Sequence, residues 1–298
     1  MDKFIVSVIM PVYNAEKFLR KAVESAVKLE EVGEIILVED ASPDNALMIC
    51  QELEKEYAKV KLFRHPNGEN KGAGASRNLG MEKASCDFIS FLDADDWYLP
   101  NRFHQTILEF EDPEVEGVYE PIGTYFHGEY SFMFGKKISK EDGEKIITFL
   151  REPVDSDNLF YSLLSQSNSN FSTDGVTLRK CLVEKVGLFS ESLKLHQDSE
   201  FWMRCAYYGK LVTPKNPGVV AIRGVHGENR INSVNFYSKA KFYESLFERF
   251  YKEDLSFKER MLLYKKHIFF NPERKFQNSH FIKKYSEVLK ITFKTLLK

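Results

Sequence analysis

The sequence predicts an α/β fold: a mixed, mainly parallel sheet flanked by helices, with a helical C-terminal extension. Strand-like and helix-like patterns alternate through the first hundred residues, which is the signature of βαβ units. Polar and glycine-rich segments fall just after each predicted strand, and residues 236–298 read as all-helical, broken into two parts at Asn271-Pro272.

The elements follow in order. "FIVSVIM" is a compact β-branched run, and "AEKFLRKAVESAVKL" places Phe18, Ala22, Val23, Ala26 and Leu29 at helical spacing with Asn14 as N-cap. "EIILVED" is a second strand, and "SPDNALMICQELEKEY" a second helix with Ser42 as cap and Pro43 at its first position. "VKLFRH", "GASRNLGMEKA" and "DFISFLD" give a third strand, a third helix and a fourth strand. The middle, from about Val115 to Ser172, is less regular, with short aromatic strands ("VYEPIGTYF", "YSFMF") and a helix near "EKIITFLRE". "TDGVTLRKCLVEKVGLFSESL" and "QDSEFWMRCAYYGKLVT" then read as helix, turn, helix and edge strand.

Composition is that of a globular protein, with 43% hydrophobic and 29% charged residues in 298, so long disordered stretches are not expected. Cys50, Cys86, Cys181 and Cys205 form no C-x-x-C pair and no metal-type spacing. They read as reduced, mostly buried thiols of a cytoplasmic protein. The apolar run near the N-terminus is interrupted by Pro11 too early for a signal peptide. No segment approaches the roughly 18 apolar residues of a membrane-spanning helix, so the chain is expected to be soluble or peripheral at the inner face of the cell membrane.

The formal net charge of −2 hides an asymmetry: residues 236–298 carry 15 Lys and Arg against 7 Asp and Glu, and the remainder 27 against 37. The last stretch places Phe281, Tyr285, Val288, Leu289, Thr292 and Leu296 on one face, with Lys283, Lys284, Lys290, Lys294 and Lys298 beside or opposite it. Such a basic amphipathic helix suits an anionic membrane surface. Packing on the body, or on a second subunit in a homodimer, is the competing reading. No nucleic-acid partner is expected.

In an open parallel sheet, ligands bind beyond the carboxyl ends of the strands. Those ends carry Pro11-Val12-Tyr13-Asn14, Glu39-Asp40-Ala41-Ser42, "HPNGENKGAGASRNLG" and Asp93-Ala94-Asp95-Asp96. Gly72-x-Gly74 has Arg77 where a dinucleotide fingerprint needs its third glycine, and no Gly-Lys-Ser/Thr is present. Rossmann cofactors and a Walker loop are therefore disfavoured. Arg77, one turn into the helix, offers a guanidinium fork for phosphate. The crowded carboxylates suit a divalent cation, Mn²⁺ or Mg²⁺; a polar turn before "YLPNRF" is the plainer reading.

Taken in order, "VSVIMPVYN", "ILVEDASPDN", "NKGAGASRNLG", "FLDADDW" and "HQDSEFWMRCAYYG" resemble the family 2 glycosyltransferases, inverting enzymes with the GT-A nucleotide-diphosphosugar-binding fold. The resemblance covers roughly Ser7 to Ser233. It implies a transferase domain over residues 1–235, with a donor half (1–112) and an acceptor half (113–235), before the basic extension (236–298). Pro11, Val12, Tyr13 and Glu39 would line the nucleoside pocket, and Asp40 would accept a hydrogen bond from uracil. Arg77 would lie near the diphosphate. Asp93 and Ala94 would touch the donor sugar or ribose, Asp95 would bind the metal as the D-x-D acid, and Asp96 would support it. Asp198 would be the general base, with Gln197 and Trp202 toward the acceptor. The family commonly has Glu before that Asp, and Gln197 departs from it.

His226, in "IRGVHGENRINS", falls where such enzymes carry a loop over the diphosphate, as a metal or phosphate ligand. Arg223 and Arg230 are further phosphate candidates, and a structural His is the competing reading. The implied reaction moves a sugar, UDP-linked in the first instance, to a hydroxyl of a glycan or lipid-linked acceptor in cell-surface polysaccharide or glycolipid synthesis. A sugar-phosphate nucleotidyltransferase should carry a glycine-rich basic loop after the first strand, where this chain has "PVYNAEKF". A non-catalytic sugar-nucleotide-binding protein is the other alternative.

Overall fold

The computed structural model describes residues 3–133, 136–152, 154–166, 168, 170–226 and 236–270. The first half alternates as its pattern predicts: β1 (Val6–Val12), α1 (Leu19–Val27), β2 (Val32–Glu39), α2 (Ala46–Glu56), β3 (Val60–Arg64), α3 (Ala73–Lys83) and β4 (Phe88–Phe91). Then come β5 (Trp97–Tyr98), α4 (His104–Glu109), β6 (Gly117–Tyr119), β7 (Ile122–Phe126), a hairpin of β8 (Tyr130–Met133) and β9 (Lys136–Ser139), and the short α5 (Lys140–Gly143). The remainder is α6 (Ser156–Ser165), β10 (Val176–Arg179), α7 (Lys180–Val186), α8 (Gln197–Tyr208), β11 (Leu211–Val212), β12 (Ala221–Val225), α9 (Phe236–Phe250) and α10 (Phe257–Phe270).

Seven strands form one sheet in the order β11-β6-β10-β4-β1-β2-β3. In it β10 runs antiparallel to both neighbours, while the other pairings are parallel. A second sheet, β5-β12-β7, is built directly beyond β4. The main sheet separates two cores, and strand alternation assigns residues to each. Val6, Val8, Met10 and Val12 of β1 face α1 and α2 together with Ile35 and Leu37 of β2. Ile9, Ile36 and Val38 face the other side, where α6, α7, α8, α9 and α10 supply Leu159, Leu182, Trp202, Phe242 and Leu263. The first two helices after residue 235 are thus packed into the same core as the sheet.

Several local expectations shift. Asn14 has a left-handed φ of 52° and does not cap α1, which starts at Leu19. Ser42 does not cap α2; its Oγ accepts the Asn14 N–H at 3.3 Å, and the helix begins at Ala46 with its N–H donating to Asp44 Oδ1 at 3.1 Å. The Ser42, Asp44 and Glu16 side chains instead stitch the loops after β1 and β2 together. "EKIITFLRE" is irregular rather than helical, with turns and bends around one bridge from Thr148 to Ile122, in keeping with its β-branched Ile-Ile-Thr run. In "TDGVTLR" a 3-10 turn over Thr173–Gly175 leads into β10 at Val176 rather than into the start of an α-helix. All four cysteines are free, but only Cys50 and Cys205 are buried, and Cys181 is exposed on α7. No helix among the described residues is long and apolar enough to cross a membrane. Arg230, the Asn271-Pro272 break and the basic helix expected over 281–298 lie outside the described residues.

Glu34, buried on β2, ties three strands together. Its Oε1 accepts the Ser7 hydroxyl and the Ser85 N–H, both at 2.6 Å, and its Oε2 accepts Lys61 Nζ at 2.6 Å. Burial alone would raise its pKa, but Lys61, Ser7 and Ser85 together lower it to about 2. A carboxylate with a depressed folded pKa stabilises the fold above its unfolded pKa, and that stabilisation is lost as pH falls through the folded value. Glu34→Gln is therefore expected to cost roughly 3 kcal/mol in urea unfolding at pH 7, with the gap from wild type closing between about pH 4.5 and 2. A gap independent of pH would contradict this role.

Candidate active site

Strand ends and loops meet at the carboxyl edge of the main sheet around a cavity of about 280 Å³. Pro11, Val12 and Tyr13 from β1, Asp40 after β2, Arg77 on α3, Asp93, Ala94 and Asp95 after β4, and His226 after β12 all line it. These nine positions, predicted from separate motifs, are brought together.

Asp40 is buried, with Oδ1 accepting the Lys71 N–H at 2.7 Å and Oδ2 the Gly72 N–H at 2.8 Å. The carboxylate thereby shapes the glycine loop, and His65, which sequence reasoning missed, lies 3.7 Å behind its Oδ1. Arg77 is buried in α3 and donates from Nη2 to Asp93 Oδ1 at 2.5 Å. Burial works against the Arg77 charge, but Asp93, with Asp198 and Asp174 beyond it, raises its pKa above the ordinary arginine value. The guanidinium stays charged at the cavity wall.

The carboxylates after β4 divide into two groups. Asp93, Asp96 and Asp174 have oxygens within 4.8 Å of one another. Asp174 Oδ1 accepts the Asp93 N–H at 2.9 Å, and Asp96 Oδ1 accepts the Gly224 N–H at 2.8 Å. Burial, then the neighbouring acids, push the Asp96 pKa well up, and burial and Asp93 raise that of Asp174. Arg223 opposes both shifts and donates to Ser172 Oγ at 2.8 Å. Its charge faces these acids, and Arg223, expected as a phosphate candidate, is not among the residues that line the cavity. Asp174 was missed because the strand it precedes was missed: β10 is antiparallel, so the residues before it reach the same edge that the parallel strands reach with the residues after them.

Asp95 belongs to the second group. Pairing of Ile222 with Trp97 and Ala221 with Tyr98 runs β12 back along the carboxylate turn, so that His226 Nε2 meets Asp95 Oδ2 at 2.9 Å. Phe18 stacks on the His226 ring with centroids 4.7 Å apart. The carboxylate oxygen at the open cavity suits Mn²⁺ or Mg²⁺, and the imidazole nitrogen beside it is a donor that Mn²⁺ accepts more readily than Mg²⁺. The triad of Asp93, Asp96 and Asp174 fits less well: Asp96 and Asp174 are buried away from the cavity, hold backbone N–H groups and face two arginines.

Two of the expected site residues, Glu39 and Trp202, lie outside the cavity lining. Glu39 is buried, its Oε1 accepting the Ser42 N–H at 2.6 Å and its Oε2 the Arg64 Nε–H at 2.7 Å, and it is not among the residues that line the cavity. Trp202 is fully buried, packed edge-on to Phe91 and against Phe189, so it cannot face an acceptor. It shares a helix face with Asp198 but sits one turn deeper. Gln197 donates to the Leu193 carbonyl and lies against Gly74, where a Cβ would come within 2.6 Å of its Oε1. Asp198, in the first turn of α8, is half-buried beside this contact and does not itself line the cavity.

A family model described as "Glycosyl transferase family 2" matches residues 7–171, more than half of the chain. The chain belongs to that family. Its curated relatives include the minor teichoic acid biosynthesis protein GgaA of Bacillus subtilis, 29% identical over 252 residues, which are 82% of this chain and 49% of that protein. An uncharacterized glycosyltransferase of Haemophilus influenzae is 30% identical over 215 residues, 69% of this chain and 73% of the relative. The chain thus spans about half the length of GgaA and about three quarters of the second relative. Among solved structures, residues 1–349 of S. aureus TarS in complex with UDP-GlcNAc superpose with a TM-score of 0.65 at 17% identity, over 98% of this chain and 81% of that one. The mannosyltransferase PcManGT of Pyrobaculum calidifontis, in complex with GDP-Man and Mn²⁺, gives 0.58 at 15% identity, over 88% and 69%. The fold of this family 2 chain is GT-A.

Gly224 is where β12 presses on the carboxylate turn: a Cβ there would collide with the Asp95 carbonyl oxygen. Gly224→Ala is expected to lower the unfolding free energy by about 1–3 kcal/mol in urea denaturation. An unchanged midpoint would mean that β12 can step back from the turn without cost.

Proposed function

We propose that this chain is an inverting glycosyltransferase that moves a sugar from a nucleoside-diphosphate sugar, a UDP-sugar first of all, to a hydroxyl of a glycan or lipid-linked acceptor. The observation that carries the reading is the cavity itself: in a family 2 chain, Asp40, Arg77, Asp93, Asp95 and His226 face one space at the carboxyl edge of the sheet. Pro11, Val12 and Tyr13 form the wall for the nucleoside, and Asp40 keeps acceptor capacity for a base N–H because each oxygen has a second lone pair.

Asp198 acts as general base. It takes the proton of the acceptor hydroxyl as that oxygen bonds to the anomeric carbon from the face opposite the diphosphate, whose bond to the sugar breaks. Arg77, fixed by Asp93, holds the leaving diphosphate, and its charge is worth most in a partly desolvated site. Asp95 and His226 are the residues that would hold Mn²⁺ or Mg²⁺, which when bound supplies positive charge to the diphosphate oxygens. The name of GgaA supports an acceptor in cell-surface polymer or glycolipid synthesis. The basic residues of 281–298 would serve peripheral contact with an anionic lipid surface.

The test is a panel of UDP-, GDP- and other nucleotide sugars incubated with the protein and Mn²⁺ or Mg²⁺, with release of nucleoside diphosphate as the readout. One donor is expected to be cleaved. Asp198→Asn should lower that rate by about 10²-fold or more while UDP binding is kept. Normal turnover by Asp198→Asn would remove the base assignment, and no release from any donor would favour a binding protein.

A further inference from the structure

We infer that helix α9, outside the residues matched by the family model, is a positioning element for the base: it grips the chain on both sides of Asp198. The inference rests on the reading of Asp198 as the general base and adds what holds that residue in place.

Asp198 is two residues from each of two contacts with α9. Ahead of it, His196 sits in the left-handed region at φ 64° as the N-cap of α8, a conformation a non-glycine residue keeps only where its surroundings enforce it. Those surroundings are on α9. The His196 ring packs on Phe242 with centroids 5.2 Å apart, and its Nε2 is 3.4 Å from Ser238 Oγ. Behind it, Glu200 is fully buried and accepts Arg204 Nε at 2.9 Å and Arg204 Nη2 at 2.9 Å. Its Oε1 also pairs with Arg249 Nε of α9 at 3.1 Å.

Arg204 carries the grip further, donating from Nη1 to the Val186 carbonyl and from Nη2 to the Leu188 carbonyl, both at 2.6 Å. The loop leading to α8 is held in turn by Asn78 of α3, whose Oδ1 accepts the Phe189 N–H at 2.8 Å. Ser238, Phe242 and Arg249 are spaced by four and seven residues and share one face of α9. That face is therefore directed at the first turn of α8, and Asp198 can reach an acceptor hydroxyl over the donor cavity only if this turn is fixed. Misplacing a reacting group by about 1 Å costs up to ~10²-fold in rate.

The test compares the full chain with Ser238→Ala/Arg249→Leu, Arg249→Lys and Asp198→Asn. UDP affinity is read by calorimetry, UDP release from the donor that wild type cleaves, and amide hydrogen exchange over residues 196–200. The double variant should bind UDP within about twofold of wild type yet release it roughly tenfold more slowly, with faster exchange over 196–200. Arg249→Lys, which keeps the charge, should restore release to within about threefold. Should the double variant unfold, Arg249→Leu alone serves, because that side chain is 41% exposed. Wild-type release and exchange in the double variant would overturn the inference, as would equal losses of release and UDP binding. An active Asp198→Asn would instead remove the base reading; exchange over 196–200 would still decide whether α9 holds the turn.

Discussion

Carboxylates crowded at one sheet edge are the constraint around which this molecule is built. Asp93, Asp96 and Asp174 lie together partly out of water, an arrangement that desolvation and mutual repulsion both oppose. Arg77 and Arg223 answer it from α3 and β12, and backbone N–H groups of Asp93 and Gly224 supply further positive ends. The cluster ties β4, β10 and β12 into one rigid turn, and that turn aims Asp95 and His226 at the cavity. A structural group of acids thus leaves a separate acid facing the cavity.

The same division explains what the sequence could and could not tell. Asp40, Arg77, Asp93 and Asp95 were legible because each follows a strand or opens a helix whose local period is clear, and because an open sheet sends such residues to one edge. His226 was legible by residue type, but its partner became visible only through the register of β12 on β5. Asp174 was hidden by a four-residue strand merged with the longer helical period of "RKCLVEKVG". Glu39 and Trp202 were placed at the site by the family resemblance, which does not carry the depth of a side chain. Tertiary packing buries both, one paired to Arg64 and the other in the aromatic core.

Residues beyond 235 gain a different meaning from the same packing. Their basic composition suggested an appendage, yet Phe242, Tyr243, Leu246, Phe247 and Phe250 are buried in the larger core, and α9 meets α8 on both sides of Asp198. The cavity at the sheet edge is lined from the ends of β1, β2, β4 and β12 and the start of α3, while α9 packs on α8 in the core on the other side of the sheet from α1 and α2.

A structure of the protein with UDP and Mn²⁺ bound tests the central claim most directly, namely that the acids are divided into structural and functional groups. The ion is expected on Asp95 and His226, the diphosphate beside Arg77, and the triad of Asp93, Asp96 and Asp174 still closed on itself. An ion seated among Asp93, Asp96 and Asp174, or a diphosphate away from Arg77, would contradict it.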